Sequence, residues 1–253
     1  MIDGQVQIYG KESAIDGGEF HNVWFKNNNA PEQLEGRSHI RNATLYYDEP
    51  LRNPAFSFRG DAVIENVLID FKNSFLFEVD PANGKPTFNL ETSLNGLTYE
   101  RGYIDGLTIV NLEVAPSFKF SQGFHWYWSD IRNFNSSIPL QLLYGKQEDA
   151  YLENITVPRF RIRPRDFSAT GSNIVNLTID NLNIHTDHVD YTSFTAYPLE
   201  TEKHDFNLIV NGGEINVITG ISRIINLQNT GTKVFNNLKF DAADPITLDL
   251  HLL

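Results

Sequence analysis

Asn154-Ile155-Thr156-Val157 recurs in variant form along the chain, as Asn42-Ala43-Thr44-Leu45, Asn66-Val67-Leu68-Ile69, Gly106-Leu107-Thr108-Ile109, Asn176-Leu177-Thr178-Ile179 and Asn237-Leu238-Lys239-Phe240. Asn22-Val23-Trp24-Phe25 has the same form, and Asp130-Ile131-Arg132-Asn133 is a weaker copy. In most of these blocks a residue that tolerates a left-handed backbone, Asn or Gly, precedes an apolar, variable, apolar triplet. That order reads as a sharp bend followed by a short strand with one face in a core.

The leading residues stand at 22, 42, 66, 106, 130, 154, 176 and 237, spaced by 20, 24, 40, 24, 24, 22 and 61 residues. Reading 40 as two repeats and 61 as three gives ten steps over 215 residues, or 21.5 per repeat, with degenerate members near Phe88 and at Ile215-Asn216-Val217. One position after the leading residue stand Val23, Ala43, Val67, Leu107, Ile131, Ile155, Leu177 and Leu238. Two positions before it stand Phe20, Ile40, Ile64, Ile104, Trp128, Leu152 and Ile174. Both columns are apolar and the intervening ones are mostly polar, so a continuous core runs along a stack of strands. The L-x-x-L-x-L spacing of leucine-rich repeats is absent, and so are long helix-period apolar runs. The pattern predicts an all-β protein, a right-handed parallel β-helix of ten or eleven coils over residues 1–253 as a single domain. Stacked Asn side chains of successive coils are expected to exchange amide hydrogen bonds.

Hydrophobic residues make up 41% of the 253 positions, enough for such a core, and there is no cysteine for a disulfide or thiolate metal site. A net charge of -12 opposes broad attraction to nucleic acid or anionic lipid. No apolar run approaches a membrane span, and Met1-Ile2-Asp3-Gly4 lacks the features of a signal peptide. The expected partners therefore include neither nucleic acid nor a membrane.

A stack of coils exposes its core at each end unless it is capped. Strand-like Gln5-Val6-Gln7-Ile8-Tyr9 begins almost at once, and Ile246, Leu248, Leu250 and Leu252 alternate with polar residues at the other terminus. One or both ends are expected to meet another domain or subunit.

The Asn-led coils resemble the pectate-lyase-like right-handed β-helix superfamily, which includes phage tailspike and tail-fibre domains, over nearly the whole chain. The resemblance implies an extended polysaccharide lying along a lateral sheet. Its viral members imply a virion-surface or extracellular location, attachment to cell-surface glycans and a homotrimer or other structural subunits as partners. The Asp-Asp pair and Gly-His-Gly segment of polygalacturonase-type members are missing. Ile184-His185-Thr186-Asp187-His188-Val189-Asp190 is similar to their Asn-Thr-Asp-Gly-x-Asp segment at Asp187 and Asp190, the candidate catalytic residues that the resemblance implies.

From the repeat itself, Tyr103, Tyr127 and Tyr151 are spaced by 24 and 24 and are expected to share one outward column, with Arg101, His125 and Asp149 nearby. Such rings stack on sugars, or stabilise the sheet and pack on a neighbouring subunit. Asp105 and Glu153 are expected in one column two coils apart, which suits the carboxylate pair that glycoside hydrolysis needs. Two histidines and two aspartates between His185 and Asp190 suit acid-base or metal work, or simply a polar turn. Arg159, Arg161, Arg163 and Arg165 alternate along one segment and form the only dense basic cluster. They suit an acidic polysaccharide or an acidic neighbour. Trp126 and Trp128 read as core residues. No cofactor-binding or nucleophile motif is present, so two functions remain: a binding module that displays an elongated surface, and a polysaccharide hydrolase or lyase.

Overall fold

The computed structural model describes residues 4–8, 13–27, 38–47, 56–59, 62–77, 94–97, 103–114, 124–127, 130–144, 149–164, 175–186, 197–201, 206–217, 223–243 and 245–250. Among them every regular element is a strand. In chain order these are β1 (Gly4–Ile8), β2 (Ala14–Asp16), β3 (Glu19–His21), β4 (Val23–Asn27), β5 (Ser38–Tyr46), β6 (Phe56–Arg59) and β7 (Ala62–Phe77). The middle of the chain forms β8 (Leu94–Leu97), β9 (Tyr103–Val114), β10 (Phe124–Tyr127), β11 (Asp130–Ser136), β12 (Leu140–Tyr144), β13 (Ala150–Val157) and β14 (Phe160–Pro164). The last third forms β15 (Val175–Thr186), β16 (Leu199–Thr201), β17 (Phe206–Val217), β18 (Arg223–Leu227), β19 (Lys233–Asn236), β20 (Lys239–Ala242) and β21 (Thr247–Leu250).

All pairing is parallel, and the strands sort into two sheets that the chain visits alternately. The first sheet runs β1-β4-β6-β8-β10-β12-β14-β16-β18-β21. The second stacks nine bent segments, each a pair of half-strands on either side of one bend residue; β2 with β3 and β19 with β20 are its two terminal segments. The result is the all-β parallel solenoid that the repeat predicts.

The bend residues are Gly17, Asn42, Asn66, Gly106, Asn133, Asn154, Asn181, Gly212 and Asn237, with φ between 50° and 83°. A left-handed residue redirects a strand without a loop, and only Gly and Asn adopt that conformation at low cost. At Gly106 an added Cβ would also meet the Asn66 backbone at 3.2 Å, a tight contact.

Register corrects the sequence reading in several places. Asn22 also has positive φ, but Val23–Asn27 belongs to the first sheet, so Asn22 leads a different turn. The bend of β11 is Asn133 instead of Asp130, and that of β15 is Asn181 instead of Asn176. β7 pairs directly with β9, so the 40-residue interval is one coil, and no strand from the vicinity of Phe88 intervenes; Phe88 itself lies outside the described residues. The 61-residue interval holds one intermediate bend segment, β17, in which Ile215 is a regular core residue. From Gly17 to Asn237 the bends therefore take eight steps over 220 residues, 27.5 per step, with single steps from 21 to 40.

Two residues before the bends lie Ile40, Ile64, Ile104, Ile131, Leu152, Ile179 and Val210, all buried. One residue after them lie Ala43, Val67, Leu107, Phe134, Ile155 and Leu182, also buried. The first sheet adds Phe25, Leu140, Phe160, Leu199 and Ile225 to the same core. Trp126 stands in register with buried Leu142, whereas Trp128 and Ile174 lie outside the described residues. At the terminal levels Ile15, Phe20, Phe235 and Leu238 are only partly buried and Phe240 is 36% exposed. Among the described residues β21 lies at one edge of its sheet, paired with β18.

The expected ladder of amides is present. Asn66 donates to Asn42 Oδ1 at 3.0 Å, and Asn42 to Asp16 Oδ1 at 2.8 Å. Above the glycine break, Asn181 donates to Asn154 and Asn154 to Asn133, both at 2.9 Å, and Asn133 to Asp105 at 2.6 Å. A second ladder runs from Asn207 through Asn176 to Asp149, so Asn176 has a stacking role although it is not a bend. Every step points toward the N-terminal end, and each ladder finishes on a carboxylate.

Replacing Asn154 separates backbone from ladder. Asn154→Ala is expected to lose about 2–3 kcal/mol in urea unfolding, from a left-handed alanine plus two broken amide bonds, and Asn154→Gly only about 1 kcal/mol. Equal losses for the two variants would refute the conformational part of this account.

Candidate functional site

Immediately before the bends, one outward column of the second sheet reads Asp16, Arg41, Glu65, Asp105, Arg132, Glu153, Asp180, Asn211, Asn236. Two residues further back, the parallel outward column contains Tyr103, Asp130, Tyr151 and Thr178 at successive levels. Adjacent levels are about 4.8 Å apart. Together the two columns make a half-exposed strip of charged and aromatic side chains along the stack.

Asp105 and Glu153 do share a column two levels apart, with Arg132 between them. Arg132 Nε is 3.8 Å from Glu153 Oε2, an ion pair between side chains that are 44% and 39% exposed. Its guanidinium carbon is 5.6 Å from the Tyr151 ring centroid. Asp105 is already engaged, accepting from Asn133 and, at 2.9 Å, from the Tyr103 hydroxyl.

Tyr103 and Tyr151 also share a column, two levels apart, with Asp130 at the level between. Tyr127 does not join them: it lies in β10 of the other sheet, in register with Leu143, so the triple tyrosine ladder is not formed. Equal spacing misleads here because successive coils differ in length. The Tyr151 hydroxyl donates to Asp180 Oδ2 at 2.7 Å, and Asp180 accepts from Asn211 on its other oxygen. Hydrogen bonding to Asp180, with burial and the nearby carboxylates, pushes the Tyr151 hydroxyl up to about 12. Burial, then the bond to Asp105, raises Tyr103 in the same direction.

The other candidates distribute differently. His125 lies in the first sheet, in register with Gln141, and not in the sheet that carries the tyrosine column. Arg101, Asp187 and Asp190 lie outside the described residues, while His185 is exposed beside Asn216. Asp149 accepts both the backbone N–H and the side-chain amide of Asn176. Two members of the arginine run have described side chains, Arg159 and Arg161. Arg159 is buried, donating to the Tyr197 carbonyl at 2.8 Å and to Glu200 at 3.3 Å, and Arg161 Nε is 3.8 Å from the same Glu200 carboxylate. Arg165 lies outside the described residues. Among the described residues no group of three His, Cys, Asp or Glu is placed to hold a metal ion.

Sequence reasoning missed Arg132, Asp130 and Asp180 as members of this strip. The signal was available for Asp180, because Asn181-Leu182-Asn183-Ile184 fits the bend pattern as well as Asn176-Leu177-Thr178-Ile179 does. Choosing the later Asn places Asp180 in the column of Asp105 and Glu153.

The Tyr151–Asp180 bond can be read by spectrophotometric titration. Because the folded-state pKa exceeds the ordinary value near 10, the protonated phenol favours the fold. Its contribution is full below about pH 10 and disappears as pH rises toward about 12. In Asp180→Asn the late tyrosinate transition is expected to move down toward pH 10; an unchanged titration would show that the carboxylate does not set it.

Comparison with known proteins finds no family model, curated protein or solved structure that matches this chain.

Proposed function

We propose that this chain is a non-catalytic binding module of the fibre or adhesin kind, which lays an extended cell-surface polysaccharide along the stack. The observation that supports this reading most is the outward strip in which Tyr103 and Tyr151 stand two levels apart, about 10 Å, with Asp130 and Arg132 at the level between. Aromatic faces stack on sugar rings, while carboxylates accept hydroxyl protons and a guanidinium donates to hydroxyl oxygens. The hydroxyl bonds to Asp105 and Asp180 fix the two rings before any ligand arrives, which lowers the entropy cost of binding. Half-exposed apolar residues at both terminal levels, Phe240 above all, fit a module seated in a larger assembly such as a fibre or trimer.

A polysaccharide-cleaving enzyme is the second reading, favoured by Asp105 and Glu153 at about 10 Å in one column. It ranks lower because Arg132 occupies the level between them, where the scissile bond and its water would have to lie.

A glycan array with the whole chain tests the binding reading. Tyr151→Ala and Tyr103→Ala are each expected to weaken the bound glycan about tenfold, by loss of one stacked ring. Tyr127→Ala, on the other sheet, is expected to bind as the parent does. Absence of any glycan binding, or equal loss in all three variants, would overturn the assignment to this strip. Release of reducing ends or unsaturated sugars from the same glycans would move the enzyme reading ahead.

A further inference from the structure

We infer that the polysaccharide taken by this strip is electrically neutral, a chain of uncharged sugars and not a uronate, sialate or sulfate polymer. The inference rests on the binding reading above and deepens it. Between Tyr103 and Asp180 the strip holds four carboxylates, Asp105, Asp130, Glu153 and Asp180, against one guanidinium, Arg132. An anionic sugar drawn to Arg132 must sit one strand level, about 5 Å, from Asp105 on one side and Glu153 on the other, with Asp130 on the same strand. One attraction then competes with several repulsions at similar distance, so the balance is unfavourable at low ionic strength.

Two of these carboxylates cannot simply be turned away. Asp105 and Asp180 each hold a tyrosine hydroxyl on one oxygen and a ladder Asn on the other. Their charge is part of what positions the two rings. Asp130 accepts from the Tyr151 backbone N–H at 3.3 Å. A neutral sugar suits the same groups well, because its hydroxyls both donate to carboxylates and accept from Arg132.

On the arginine segment a carboxylate already faces the described guanidinium groups. Glu200 lies against both Arg159 and Arg161, and Arg159 is turned into the protein to reach the Tyr197 carbonyl.

The test uses the whole chain and matched pairs of polysaccharides, each neutral polymer beside the same polymer with its primary hydroxyls oxidised to carboxylates. For whichever neutral polymer binds, the oxidised partner is expected to bind at least about tenfold more weakly at low salt, the gap closing as salt is raised. Glu153→Gln, which loses only an exposed ion pair, is expected to narrow the low-salt gap about threefold. Equal or tighter binding of the oxidised form, or a gap insensitive to salt and to Glu153→Gln, would overturn neutrality while leaving the binding reading standing. Binding of neither form across the series would instead overturn the binding reading itself.

Discussion

Each level of the stack must turn its chain at a residue with φ between 50° and 83°, and the rest of the fold is arranged around that requirement. L-residues with branched or bulky side chains cannot meet it cheaply, which leaves Asn and Gly. Asn brings an amide as well, and stacking places each amide one strand spacing from the next. The conformational requirement thereby produces a side-chain hydrogen-bond ladder on the outside, while the half-strands on either side of each bend deliver Ile, Leu and Val to the inside. The ladder ends at carboxylates for a simple reason: Asp16 and Asp105 accept without needing to pass a donor to the level below.

The sheet architecture, the direction of each column and the amide ladder were legible because they depend on local chemistry: a left-handed residue and the period of two that follows it. Asn42, Asn66, Gly106, Asn154 and Asn237 are bends in the structure as in the sequence. What was not legible is which of two nearby asparagines bends. Asn176 and Asn181 lead equally good apolar triplets, and only pairing with the neighbouring level distinguishes them. The error then propagated to the surface. Taking constant spacing for constant register put Tyr127 beside Tyr103 and Tyr151, and left Arg132 and Asp180 out of the strip they belong to.

The charge of the strip follows the same division between local and stacked information. Composition gives an acidic chain, but not where its cations go. Stacking puts Arg41 between Asp16 and Glu65, and Arg132 between Asp105 and Glu153, so each guanidinium has a carboxylate one level, about 5 Å, to either side. Arg159 and Arg161, which look like the basic site in the sequence, are instead held by Glu200. Between Tyr103 and Asp180 the outward strip thus keeps more carboxylates than cations beside the two anchored tyrosines.

Height in this molecule is counted in strands and not in residues. The 21 residues from Asn133 to Asn154 and the 40 from Asn66 to Gly106 each raise the stack by one spacing of about 4.8 Å. The protein therefore behaves as a ruler whose graduations are fixed by backbone pairing and not by the number of residues between bends. A coil can gain or lose twenty residues between its bends without altering the pitch on which the outward strip is laid out.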